Sequence, residues 1–333
     1  MLRVVTLLCL LRAALADPPP SLISAMSDVG AAEGHVFDVK DSISQSMGVL
    51  RVRRTPGNFT FNGSPYSFVG MYHVFSNGTF SVHAALSTDL RGWTHAALLV
   101  PNADMPYFEI DAPTGLLLLL HEQWLSPHSN APCTVRAALY ASLSAALAGA
   151  PPLSASLAPS ALSNLQGTPS ITSWSASADS VVVGLHFNEA VAGGGNRDQA
   201  AAGALLGLRA GAPLWSMAPW DAYNSALTAA GAVGNIGGRD ALPCGAGTLV
   251  LQEGNRASPT DWARWAVFVR EATDGMAAWA PLAVTTPGGS RSFGNPGVAH
   301  LGGGLLAVSY FLFSEGAAPG EAGQLLFWTT VEC

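Results

Sequence analysis

Short apolar and β-branched runs recur along the chain in pairs, each pair led in by a polar segment that contains Asp, Asn or Pro. This is the pattern of strands joined by tight turns. Five such units are present: residues 38–43 with 47–52, 104–108 with 115–124, 167–171 with 181–187, 238–242 with 248–253, and 294–298 with 305–313. With Asp41, Asp104, Thr168, Asp240 and Asn295 as equivalent points, the spacings are 63, 64, 72 and 55 residues. Further strands are expected at 66–74, 81–87, 134–140, 265–270 and 324–330. A period of this length with several strands per unit predicts an all-β fold, a five-bladed β-propeller whose radial sheets expose only short edges.

The ends of the chain agree with that count. Only 38 residues follow Asn295, while 24 residues between 17 and 40 lie outside any unit. Together they match the other spacings, so the N-terminal segment is expected to complete the last blade. Residues 141–148 and 221–230, the latter stopped by Gly231, read as short helices, and the Ala/Ser/Pro-rich stretch 149–165 as an inter-blade loop.

Composition supports a packed β protein. Of the 333 residues 49% are hydrophobic and 11% charged, which excludes disorder, and 36 Gly and 22 Pro spread along the length argue against long helices. The formal charge is −7, and Arg51, Arg53 and Arg54 form the sole basic cluster. A nucleic-acid partner is therefore disfavoured.

Residues 1–16 read as a secretory signal: Arg3, an apolar run from Val4 to Leu11, and Ala14-Leu15-Ala16 before Asp17. That predicts a secreted, extracellular protein with an N-terminal segment 17–33 and a propeller over 34–333. No later apolar stretch reaches the roughly 20 residues of a membrane span. Cys133, Cys244 and Cys333 remain after cleavage, without metal-like spacing, so one disulfide and one free thiol are expected. Asn58-Phe59-Thr60, Asn62-Gly63-Ser64 and Asn77-Gly78-Thr79 are N-glycosylation sequons.

Tyr72 through Trp93, with Ser87-Thr88-Asp89-Leu90-Arg91-Gly92-Trp93, resembles the outer-strand pattern of the five-bladed glycoside hydrolases, the group of arabinanases, arabinofuranosidases and invertases. Glu122-Gln123-Trp124, Gly167-Thr168-Pro169-Ser170-Ile171, residues 234–240 and Gly294-Asn295-Pro296 resemble uncharacterised secreted members of that group. The resemblance implies an Asp at the start of the first inner strand, an Asp in blade three and a Glu in blade four, converging on the channel. Asp41, or else Asp38, matches the first and Glu253 the last. Thr168-Pro169 stands where the second Asp would be, and Arg239-Asp240 is similar to the Arg-Asp pair of the invertases but one blade later.

Hairpin geometry independently puts the start of a first strand and the end of a second on one rim. Asp41, Asp104, Asp240 and Asn295 occupy starts; Glu122, His186, Glu189 and Glu253 occupy ends. Paired carboxylates at a concave mouth suit glycoside cleavage, one protonating the leaving oxygen and the other activating water or attacking. Asp41, Asp240 and Glu253 are therefore the candidate catalytic residues. Asp104, Glu122, Trp124, Trp174, His186 and Asn295 are the candidate substrate-binding residues, for an oligo- or polysaccharide. Each Asp also reads as a turn-closing residue, His186 as a half-buried structural histidine, and the tryptophans as blade packing. No nucleophile elbow, zinc motif or nucleotide loop occurs, no cofactor or metal is implied, and a monomer is expected. A non-catalytic carbohydrate-binding propeller is the alternative.

Overall fold

The computed structural model describes residues 20–126, 132–190, 196–245, 247–257, 261–271 and 278–332. Residues 1–16, expected to be a signal, and Cys9 and Cys333 lie outside them. Five four-stranded antiparallel sheets surround one axis. From the channel outward, blade one is Gly48–Arg54, Phe68–Ser76, Thr79–Ser87 and Thr94–Pro101; blade two is Ala103–Ile110, Leu117–Trp124, Cys133–Tyr140 and Ser154–Leu157. Blade three is Gln166–Ser175, Ser180–Ala190, Asn196–Leu206 and Leu214–Pro219. Blade four is Ile236–Cys244, Gly247–Asn255, Trp265–Glu271 and Ala280–Pro281. The last blade is Phe293–His300, Leu305–Leu312 and Gly323–Thr330, with Gly34–Val36 as its outer strand. The first strands contact one another around the ring.

Strand-forming residues explain each sheet, and apolar side chains on both faces explain the stack. Each inter-blade gap has its own core. Leu50 and Val52 of blade one pack with Ala299, Ala307 and Leu326 of blade five; Met71 and Leu86 with Phe108 and Leu119; Leu118 and Leu139 with Ile171 and Val183. Ala200 and Tyr223 meet Phe268, and Leu249 and Val267 meet Phe293 and Leu306.

The last blade is closed by the N-terminal side of the chain: Gly34 pairs with Trp328 and Val36 with Leu326. The closing strand falls just beyond residue 33. Ahead of it, helix Pro20–Ser27 buries Leu22 and Met26 completely in the core between blades four and five. The two expected short helices form as Leu143–Leu147 and Asp221–Ala229. The stretch read as a loop, 149–165, contributes the outer strand of blade two, because Ser154–Leu157 pairs in register with Arg136–Leu139. Cys133 is free and buried, and Cys244 is disulfide-bonded. No helix among the described residues is long and apolar enough to cross a membrane.

Candidate functional site

Every blade shares one irregularity at the same end of its first strand. The first strand carries one extra residue against the second between Gly48 and Arg51, Asp104 and Tyr107, Gly167 and Ser170, Ile236 and Arg239, and Gly294 and Gly297. These are β-bulges, which bend a strand and re-aim its side chains. The leading bulge residue has positive φ in four blades: Val49 (53°), Met105 (46°), Thr168 (40°) and Asn295 (48°). For β-branched Val49 and Thr168 that conformation costs about 1–3 kcal/mol.

The extra residue leaves a backbone N–H without a ladder partner, and the chain meets this in two ways. Pro106, Pro169 and Pro296 have no N–H to satisfy. Where the residue is Leu50 or Gly238, a buried side chain accepts instead: Leu50 N–H donates to Gln324 Oε1 (3.2 Å) and Gly238 N–H to Glu253 Oε1 (2.5 Å). The leading N–H groups are held similarly. Met105 donates to Asp104 (2.6 Å), Thr168 to Glu122 Oε1 (2.7 Å) and Asn295 to Glu253 Oε2.

Around this rim the second strands present a ring of equivalent residues. His73 pairs with Gly48, Glu122 with Asp104, His186 with Gly167 and Phe311 with Gly294, and Glu253 adjoins Gly254, the partner of Ile236. Glu122 and Glu253 each reach the bulge of the following blade. Gly167 and Gly237 permit that approach, since a Cβ on either would collide with the carboxylate.

The five leading bulge residues, Val49, Met105, Thr168, Gly237 and Asn295, line a cavity of about 770 Å³ at this mouth. His73, His186, Asp198 and Glu253 are its titratable wall residues. His186 Nδ1 lies 2.5 Å from the Thr168 hydroxyl, and His73 Nδ1 pairs with Asp104. Asp198 accepts from the Asn188 amide (2.8 Å). The rest of the wall is largely aromatic: Phe75 and Phe80 from blade one, Trp262 and Trp265 from blade four, Phe311 and Phe313 from blade five.

Burial raises the Glu253 carboxyl to about 7 against the opposing pull of the Gly238 and Asn295 N–H groups, and Asp198 adds to the rise. Glu122 is also raised, by burial first and then by Asp104. Burial lowers His186. The site therefore holds one carboxyl on the cavity wall that takes up a proton near neutrality, the setting from which a general acid works.

Below the cavity the channel is plugged. Asp240 accepts from Tyr107 Oη (2.5 Å), Ala241 N (2.8 Å) and Val298 N (2.9 Å), with Arg51 Nη1 at 3.4 Å, and Arg51 also donates to the Pro296 carbonyl. Beyond the plug a second cavity of about 470 Å³ opens at the opposite mouth, lined by Trp174, His300 and the Arg53–Glu109 ion pair (2.6 Å). Among the described residues no cluster of three or more His, Cys, Asp or Glu side chains could hold a metal.

Of the residues singled out from sequence, Glu253, His186 and Asn295 meet on the cavity wall. Glu122 and Asp104 stand just behind it, holding Thr168 and His73. The others lie elsewhere. Asp41 is not on the wall: Ile43 N–H (3.0 Å), Gln45 N–H (2.9 Å) and Tyr72 Oη (2.5 Å) occupy its carboxylate, so it braces the loop whose Ser44, Gln45 and Ser46 line the mouth. The reason is register. Gly48–Arg54 is the first strand of blade one rather than its second, and the position equivalent to Thr168 is Val49. Asp240 is the plug, 1% exposed. Trp174 faces the opposite mouth, and Trp124 lies off both cavity walls with its indole N–H buried and unpartnered. Glu189 is exposed in blade three.

His73, Asp198 and the aromatic wall escaped the sequence reading. The register that marks Glu122 and His186 also marks His73. Asp198 sits on a third strand, and Trp262 on a short 3₁₀ turn between strands, where no period points to them.

No family model matches the sequence, and no curated protein does. Solved structures match over nearly the whole chain. One described as a glycoside hydrolase has a TM-score of 0.57 at 11% identity, covering 93% of this chain and 94% of its own. The arabinanase of Bacillus subtilis gives 0.53 at 10% identity, over 87% and 96%. An α-L-arabinofuranosidase of Podospora anserina, solved with cellotriose, gives 0.52 at 9%, over 90% and 95%. The chain thus has the fold of the five-bladed β-propeller glycoside hydrolases.

Proposed function

We propose that the protein is a secreted, carbohydrate-active propeller that binds a saccharide in the bulge-lined cavity and hydrolyses a glycosidic bond there. The observation that carries this is Glu253, a buried carboxyl group on the wall of a large aromatic-sided cavity at the channel mouth. Protonated Glu253 gives its proton to the leaving glycosidic oxygen. Asp198, the other carboxylate of the wall, takes a proton from the water that attacks the anomeric carbon. His186 and Thr168 present hydroxyl and imidazole groups to the sugar, and His73, oriented by Asp104, does so from blade one. Export follows from the signal-like segment 1–16, and Asn58, Asn62 and Asn77 are all exposed, as glycosylation requires.

Non-catalytic saccharide binding is the second reading, favoured by a specific observation. Both Glu253 oxygens accept bulge N–H groups, and no leading bulge residue carries an acid. One experiment separates the two. The exported protein is screened for binding on a glycan array, and the bound glycans are then assayed for reducing-sugar release, alongside Glu253→Gln and Asp198→Asn. Hydrolysis predicts release by the native chain and a loss of about 10²–10⁴-fold in either variant with binding kept. Binding without release by the native chain establishes the second reading, and no binding at all rejects both.

A further inference from the structure

The cavity is sided. Thr168, His186 and Asp198 of blade three, with Glu253 beside them, make a polar side. Blades one, four and five make an aromatic one. Phe75 and Phe80 have ring centroids 4.8 Å apart, while Trp262, Trp265 and Phe313 form a second group with centroids 5.2 to 6.0 Å apart. The first group belongs to blade one and the second to blades four and five, so the aromatic side chains reach the mouth from three consecutive blades.

The outermost ring of each group is open to water. Phe75 is 63% exposed and Trp262 46% exposed, although both line the same concave mouth. Exposed apolar side chains that converge are a mark of an interaction site. Because these two converge inside a cavity rather than on a convex face, the occupant is a small molecule. A cavity of about 770 Å³ lies in the roughly 300–1,000 Å³ range that encloses a ligand of several rings. A bare sugar held against the polar side leaves Phe75 and Trp262 in water.

We infer that the ligand is a glycoside bearing a flat apolar aglycone, with the sugar against Thr168, His186 and Glu253 and the aglycone between Phe75 and Trp262. This rests on the saccharide reading and narrows its substrate class from plain polysaccharide to amphipathic glycoside. Face-to-edge and offset aromatic contacts add about 0.5–1.5 kcal/mol beyond area burial, which converts to about tenfold in affinity at the upper end.

The test is calorimetric titration of the full exported chain with matched methyl and 4-nitrophenyl glycosides of α-L-arabinofuranose, β-D-xylopyranose and β-D-glucopyranose. It is repeated on the Phe75→Ser, Trp262→Ser double variant, whose changes fall on side chains exposed at the mouth. The expected result is one accepted sugar whose 4-nitrophenyl glycoside binds about tenfold more tightly than its methyl glycoside. In the double variant the gap closes while methyl-glycoside affinity is unchanged. Equal affinities in the native chain, or a gap that survives the double variant, overturn the inference and leave the saccharide reading standing. Failure of every methyl and every aryl glycoside to bind overturns the saccharide reading itself, and the inference with it.

Discussion

Glu253 does two things with one carboxyl group. It accepts the N–H groups of Gly238 and Asn295, joining the bulges of blades four and five, and it faces the cavity with its proton affinity raised to about 7. A folded-state value above the unfolded one contributes stability that is present below about pH 4.5 and lost as pH rises through about 7. The span is on the order of 3 kcal/mol. Glu253→Gln should therefore reduce the fall in denaturation midpoint between those pH values, and turnover by the native protein should decline above pH 7 as the acid ionises. His121 runs the other way. It is fully buried, donates from Nδ1 to the Glu122 carbonyl (3.0 Å) and is held down to about 4 by burial. Its contribution is present above the unfolded value of about 6.5 and lost as pH falls toward 4. In His121→Met the acid-side loss of stability between pH 6.5 and 4 should shrink, as read by urea titrations across that range.

The element that builds the site is the bulge, and its legibility was uneven. Met105-Pro106, Thr168-Pro169 and Asn295-Pro296 announce it through proline, because only a residue outside the ladder can lack its N–H. Blade one announces it with nothing: Gly48-Val49-Leu50 is apolar, and the most polar landmark nearby, Asp41, belongs to the turn ahead of the strand. The outer strand Ser154–Leu157 was hidden for a related reason, an edge strand of small and polar residues having no alternation to read. Glu253 on the wall and Glu122 and Asp104 behind it were legible because hairpin register alone sets which strand ends share a rim, whereas Asp198, on a third strand, was not. The aromatic collar was not, since three separate blades supply it and no local period relates them. The bulge itself can be tested at Gly167, where a Cβ would collide with Glu122 Oε1. Gly167→Ala should cost about 2–3 kcal/mol by overpacking and weaken ligand binding by displacing Thr168 and His186. Gly92→Ala, at a glycine that like Gly167 has no positive φ but has open space around it, controls for the loss of backbone freedom alone.

At the scale of the whole molecule, five blades need a closure, and here the start of the chain supplies it. Gly34–Val36 pairs with Gly323–Thr330, Gly34 lies against the Trp328 indole, and Leu22 and Met26 seal the core beneath. Burying those two side chains alone is worth about 1.5–3 kcal/mol each, and with the lost strand pairing a chain beginning at residue 37 should melt about 10 °C or more lower. The same ring separates two mouths by the Arg51–Tyr107–Asp240 plug, with Glu253 at one and Trp174 at the other. The central claim is that saccharide binds at the Glu253 mouth, and a crystal structure of Glu253→Gln soaked with the glycan that binds best addresses it directly. The account predicts a sugar ring in contact with residue 253 and the Thr168–His186 pair, with the far cavity empty. A sugar seated against Trp174 and His300 at the opposite mouth would contradict it.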